Sequence, residues 1–261
     1  MLMPWLRFFR VVNLPTVPGD VLVGAAAAMW ACRDSAADAE SLVPVALAAA
    51  SSCCLYLFGL ADNDIVGAAT DEGRPIPDGE ITMRAARAAR GACLALGLLA
   101  LAAICALPFA GVTAMFELLV AFALVAVIVA YNRTKRPLLM GLCRGLNVVL
   151  GVSAIVPPLF WPRLMRHAPL AACVIAAVVA AWTIYVAAVT WYSEGEERDP
   201  SRRRRVGRLI GAIPLLQMAA LGAFAVGLSP SIYMWGVFTA SVLLWIAVLL
   251  ARRFLPSVRA S

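Results

Sequence analysis

Long apolar stretches alternate with short polar ones along almost the whole chain. Runs of spanning length cover roughly residues 16–32, 41–60, 90–110, 112–131, 138–160, 169–192, 206–228 and 231–251. Each is about 20 residues, the length of helix that crosses a hydrocarbon layer ~30 Å thick. The pattern predicts eight transmembrane helices. Prolines mark several ends (Pro15, Pro18, Pro137, Pro169, Pro230 and Pro256), whereas Pro157, Pro158 and Pro214 fall inside runs and predict kinks or early stops.

Composition agrees with that reading. The chain is 63% hydrophobic and 14% charged, against about a quarter charged in a soluble domain. The expected fold is all-α, a single polytopic helical bundle over residues 1–261. A net charge of +7 would suit nucleic acid, but the arginines sit in short loops, where they set topology. With the N-terminus inside, the inner segments hold Arg7, Arg10, Arg74, Arg84, Arg87, Arg133, Lys135, Arg136, the four arginines 202–205, Arg252, Arg253 and Arg259. The outer loops hold only Arg33, Arg163 and Arg166. The expectation is therefore a multi-pass protein of the inner (plasma) membrane, N-in and C-in, with no nucleic-acid partner. Residues 1–10 read as an amphipathic lead-in, not a cleavable signal. The seven cysteines form no CxxC and read as small buried hydrophobes, and a lone His167 gives no support to a histidine zinc site or a Ser-His-Asp triad.

The chemistry concentrates in residues 61–82, ADNDIVGAATDEGRPIPDGEIT, which follow the second run and pack Asp62, Asn63, Asp64, Asp71, Glu72 and Arg74 together. A weaker echo follows the sixth run: Glu194, Glu196, Glu197 and Asp199, then the arginines 202–205. Carboxylates at the mouth of a membrane helix can hold a divalent cation, and arginines can hold a phosphate. Together they neutralise a diphosphate and make it a better leaving group. If the helix continues past Asp64, Asp71 shares its face two turns on; otherwise the segment is a hydrophilic loop with surface ion pairs.

Asn63-Asp64, then Asp71, then Arg74-Pro75-Ile76-Pro77-Asp78-Gly79-Glu80-Ile81-Thr82 resembles the first signature loop of the UbiA superfamily of intramembrane prenyltransferases, NDxxDxxxD followed by RPIPSG-x-IS. Tyr131 to Lys135 resembles its Y-x-x-x-K stretch, and Asn13-Leu14-Pro15-Thr16 its entry to the first helix. Arg144-Gly145-Leu146-Asn147 with Gly151 resembles the fifth helix of the EboC-like subgroup. The resemblance implies a bundle around a lipid-open central cavity, capped by two cytoplasmic acidic loops. It implies Mg²⁺, a prenyl diphosphate donor, a lipophilic acceptor and surrounding membrane lipids. Asn63, Asp64 and Asp71 would be first-loop metal and diphosphate ligands, with Glu194 and Asp199 in the place of the second acidic motif. Asp64, Asp71, Glu194 and Asp199 would be catalytic. Arg74 and Lys135 would hold diphosphate with Asn63, and Arg144 and Asn147 would face the cavity with the same role. The chain departs from the family pattern at Gly67, where the family has Asp, in a shortened segment between Asp71 and Arg74, in an irregular second loop, and in eight runs where nine helices are usual. Two functions follow. One is transfer of a prenyl group to an acceptor within the membrane. The other is a non-catalytic UbiA-like role, binding or helping export a lipid-soluble metabolite beside companion proteins of an export or biosynthesis system.

A few residues fall outside those loops. Arg144 and Asn147 share a helix face, so the buried arginine calls for a diphosphate or a carboxylate partner. Asp20 is either cavity-lining or interfacial, and Glu117 reads as a snorkelling or paired acid. Tyr185 and Tyr192, seven residues apart, either line the cavity or pack between helices.

Overall fold

A computed structural model describes residues 2–32, 42–107, 111–156, 161–195 and 199–226, with 239, 242, 243 and 246 beyond them. The eighth run, Pro157, Pro158, Glu196 and Glu197 lie outside the described residues, apart from those four positions in the run. Among the described residues every regular element is helical. A short α1 (Leu2–Phe8) leads through a 3₁₀ turn (Val11–Asn13) into α2 (Thr16–Ala31). Then come α3 (Leu42–Val66), α4 (Met83–Ala102), α5 (Gly111–Thr134), α6 (Pro137–Ser153), α7 (Trp161–His167), α8 (Pro169–Ser193) and α9 (Pro200–Val226). The helices α3, α4, α5, α8 and α9 are long and apolar enough to cross a membrane, and α2 and α6 are shorter apolar helices. The chain is a multi-pass membrane protein.

Two helices begin earlier than the apolar runs suggest. Thr82 caps α4 by accepting a hydrogen bond from Ala85 N at 3.2 Å, so Arg84, Arg87 and Arg90 ride on its first turns. The arginines 202–205 ride likewise on the start of α9, and Pro214 is accommodated within it. Helices snorkel such side chains at membrane ends, so a polar residue does not end a helix there.

The bundle is organised around α2 and α6. From Val17 to Met29 nearly every residue of α2 is buried. Its crossing with α6 is close because glycine meets backbone on both sides: Gly24 faces the Val148 carbonyl, and Gly151 faces the Val21 carbonyl. On its other flank α6 sets Gly141 and Gly145 against Thr183 of α8. Small residues let membrane helices approach until van der Waals contact holds them, since lipid supplies no hydrophobic drive between helices. Val21, Leu55, Phe58, Leu101, Leu124 and Leu150 fill the core. Leu96, Leu99, Leu119, Phe122, Leu170 and Ile184 point outward, as a surface solvated by lipid requires.

Candidate active site

A cavity of about 130 Å³ opens between α3, α5 and α6. Arg10, Ser52, Asn63, Asn132, Arg144 and Asn147 line its polar side, Leu60, Leu124, Ile128 and Met140 its apolar side, and Tyr56 and Tyr131 also border it.

Its rim is built on the last turn of α3. The Asp64 side chain is only 1% exposed, and its Oδ1 accepts from Arg10 Nη2 at 3.1 Å and Arg74 Nη1 at 3.4 Å. Among the described residues its Oδ2 is buried with no partner, as is Arg10 Nε. Burial, with the Arg74 charge behind it, lowers the pKa of Arg10 against the pull of Asp64. Arg10 also adopts a left-handed backbone, φ 40°, which a non-glycine residue holds only when its surroundings impose it. They do: Arg7 of α1 donates to Glu80 at 3.0 and 3.1 Å and to the Gly73 carbonyl at 3.1 Å. Phe8, with Trp5 and Phe9, packs on Ala61, Ile65, Ile76 and Ile81. Arg10 is thus held at the rim by a segment anchored immediately before it.

The loop after α3 is a chain of turns. Helix α3 stops at Val66, so Asp71 does not reach Asp64 along one helical face; a turn closed by Asp71 N on the Gly67 carbonyl at 2.9 Å returns it instead. The Asp71 carboxylate then stands over Gly67: a Cβ there would lie 2.8 Å from Asp71 Cγ. The space a side chain at 67 would fill is occupied by Asp71. Arg74 reaches toward it as well, Nε 3.9 Å from Asp71 Oδ2. Beyond it the Arg-Pro-Ile-Pro-Asp-Gly stretch folds back through Asp78 N on the Arg74 carbonyl and Ile81 N on the Pro75 carbonyl, each 3.0 Å, with Gly79 at φ 73°. Across the mouth, Lys135 ends α5 in a left-handed conformation and donates through Nζ to Asn63 Oδ1, with Nζ 5.7 Å from the Tyr131 ring centre. Burial lowers the Lys135 pKa, Arg10 and Arg74 lower it further, and Asp71 and Asp64 oppose them.

The structure therefore gathers Asn63, Asp64, Asp71, Arg74 and Lys135 at one rim and adds Arg10, which in the sequence is indistinguishable from a topology arginine. Asp62 turns away from the rim to bind Arg90 and Asn132, each at 2.9 Å, tying α3 to α4 and α5. Deeper in, Asn147 accepts from Ser52 at 2.7 Å, and Arg144 lies on the cavity wall paired with Asp20 at 2.6 Å. Glu194 is exposed, with its carbonyl taken by Arg202 at 2.6 Å. Asp199 accepts from Ser201 N at 2.8 Å at the start of α9, and hydrogen bonds from the Ser201 side chain first, then from the Ser201 and Arg202 backbone, hold its carboxyl below the ordinary aspartate range. Tyr185 donates to the Leu209 carbonyl at 2.8 Å and Tyr192 lies against Arg202, so both face α9. Glu117 is fully buried with both carboxylate oxygens unpartnered among the described residues, contrary to the snorkelling or pairing expected of it.

Neither a protein-family model nor a curated protein sequence matches the chain. Solved structures do. A digeranylgeranylglyceryl phosphate synthase superposes with a TM-score of 0.51 at 12% identity, over 97% of this chain and 88% of that one. A UbiA homologue from Archaeoglobus fulgidus, solved with GPP and Mg²⁺ and again with DMAPP and Mg²⁺, gives 0.50 at 17% identity over 97% and 87%. The fold is UbiA-like.

In this UbiA-like fold the fit to a divalent cation rests on the rim. Among the described residues no three His, Cys, Asp or Glu side chains cluster into a metal cage. Mg²⁺ needs none: it is commonly held by one or two carboxylates, completing its shell with waters and the substrate's phosphates. The orphaned Asp64 Oδ2 and the Asp71 carboxylate over Gly67 are donors of that kind, and the surrounding cations suit the phosphates.

Proposed function

We propose that the protein is a Mg²⁺-dependent prenyltransferase of the UbiA superfamily, of the EboC-like subgroup, that moves a prenyl group from a prenyl diphosphate to a lipophilic acceptor within the membrane. The observation that carries this reading is a buried acceptor (Asp64 Oδ2) and a buried donor (Arg10 Nε), both unpartnered among the described residues, at the rim of a cavity with apolar walls. A metal–diphosphate complex satisfies both, because it brings a cation and phosphate oxygens together. The solved A. fulgidus homologue binds GPP and DMAPP with Mg²⁺, which supports the same donor class here. The arginine distribution supports a rim on the cytoplasmic side of the inner membrane.

Arg10, Arg74 and Lys135 would take the diphosphate oxygens, and Asp64 and Asp71 would hold Mg²⁺. When bound, the metal shares the diphosphate charge. As the C1–O bond lengthens, its electron pair stays on the diphosphate, and the N–H groups of Arg10, Arg74 and Lys135 stabilise the charge that grows there. Tyr56 and Tyr131 offer aromatic faces to the electron-poor prenyl carbon. Leu60, Leu124, Ile128 and Met140 receive the hydrocarbon and keep water off it. The acceptor supplies the electron pair for the new bond to C1 and releases a proton.

The test is geranyl diphosphate binding with and without Mg²⁺, followed by diphosphate release. Asp64→Asn is expected to abolish release, and unchanged release would remove Asp64 from the mechanism. The non-catalytic reading is favoured by the second loop, where the Asp199 carboxylate is engaged by Ser201 N and the Glu194 side chain is exposed, with only its backbone carbonyl held by Arg202. Mg²⁺-dependent binding without release would select it.

A further inference from the structure

Behind the rim lies an ion pair that the proposed chemistry does not use. Asp20 is a carboxylate with 0% exposure inside the apolar bundle. Its Oδ2 accepts from Arg144 Nη1 at 2.6 Å, and its Oδ1 accepts from Trp182 Nε1 and Gln217 Nε2, each at 2.7 Å. Gln217 donates also to the Thr16 carbonyl at 2.7 Å, and Arg144 Nη2 to Thr16 Oγ1 at 2.9 Å. Four helices, α2, α6, α8 and α9, thus meet on one carboxylate. Arg144 lines the same cavity as Arg10 and Asn63. Uncompensated there, its charge would be a strong attractor for any anion entering the low-dielectric interior.

We propose that Asp20 is a specificity-determining residue: by neutralising Arg144 it denies a diphosphate a second, deeper seat and keeps the anion at the rim of Arg10, Arg74 and Lys135. This rests on the reading of that rim as the diphosphate site. A diphosphate seated on Arg144 would leave the Asp64 and Asp71 carboxylates proposed to hold Mg²⁺, so the deeper seat is unproductive. Removing the Asp20 charge therefore tightens anion binding while slowing turnover. Loss of packing alone does the opposite to binding, which separates this role from a structural one.

The experiment measures inorganic diphosphate binding to the full chain in detergent, with and without Mg²⁺, for wild type, Asp20→Asn, Arg144→Gln and the double variant. Asp20→Asn keeps the shape and an oxygen for Trp182 or Gln217. It is expected to bind diphosphate about tenfold more tightly, with weaker Mg²⁺ dependence, and the double variant to return within about twofold of wild type. With geranyl diphosphate, KM and kcat should both fall in Asp20→Asn. Unchanged or weaker binding by Asp20→Asn overturns the proposal. Should Asp20→Asn not fold, the charge-neutral double variant decides: a loss of about tenfold there would make Arg144 itself a diphosphate ligand and overturn the proposal, and wild-type affinity upholds it. If wild type binds no diphosphate, the rim reading fails by itself. A site gained in Asp20→Asn and lost in the double variant then still upholds the masking of Arg144, and no gain overturns it.

Discussion

Alanine at position 151 would add one carbon where α6 crosses α2. That carbon would fall on the Val21 carbonyl oxygen, 2.7 Å from the carbonyl carbon and 2.9 Å from Ala25 N. All three are backbone atoms of a helix whose Val21 and Ala25 are fully buried, so no rotamer change relieves the clash. Ordinary carbon–oxygen approaches are about 3.3 Å or more, and relieving the clash by helix separation takes roughly 1.5 Å. Overpacking of this kind costs about 1–3 kcal/mol. Alanine returns about 0.8–1 kcal/mol through its better helix propensity, leaving a net loss of up to about 2 kcal/mol. At roughly 2–4 °C per kcal/mol for a chain of this size, Tm falls by up to about 8 °C. Gly91→Ala is the control: it lies in α4 with nothing within 4 Å of the added carbon, so only the propensity gain remains and Tm holds or rises. Thermal unfolding in detergent, followed by tryptophan fluorescence, reads both. Equal shifts for the two variants, or a rise for Gly151→Ala, would refute the close-crossing argument.

Three further outcomes follow. Arg10→Ala should weaken Mg²⁺-diphosphate binding by about tenfold or more, measured by calorimetry, since it removes a charge-assisted contact at the rim; an unchanged Kd would return Arg10 to a topology role. Lys135 has a folded pKa below its unfolded one, so the native state holds fewer protons between the two values and its stability rises as pH climbs through that window. Diphosphate binding follows the opposite sign: it needs the charged amine, so affinity should fall from about pH 7 to about pH 10 more steeply in wild type than in Lys135→Arg, which stays charged; parallel profiles would exclude Lys135 from the anion site. Asp62→Ala unpairs the half-exposed Arg90 guanidinium and leaves the buried Asn132 amide only the Gly59 carbonyl, and should cost about 0.5–1.5 kcal/mol in chemical or thermal unfolding; a change within measurement error would show that the α3–α4–α5 tie contributes nothing.

Apolar length placed α3, α4, α5, α8 and α9 without reference to any contact, because a bilayer imposes one dimension on every crossing. Helix starts were harder to read, since Arg84, Arg87 and the arginines 202–205 look like loop but continue the helix. The clustering of Asn63, Asp64, Asp71 and Arg74 was legible from their nearness in sequence, but the two-turn spacing of Asp64 and Asp71 was misleading, because α3 stops at Val66 and a turn places Asp71 instead. Arg10 was not: its partner Asp64 is 54 residues away, and nothing near it in sequence separates it from Arg7. Asp20 was equally opaque, because its three ligands, Arg144, Trp182 and Gln217, come from three later helices. The gap at Gly67 looked like a lost carboxylate until the turn after α3 set Asp71 over it.

Because Arg10 is held at the rim by α1 seated on the loop after α3, the pocket depends on contacts that membrane crossing does not by itself supply. A chain can have every crossing inserted and still hold an incomplete mouth. Loosening the Arg7–Glu80 and Phe8–Ala61 contacts would yield such a protein: correctly integrated, thermally ordinary, and deaf to its ligand.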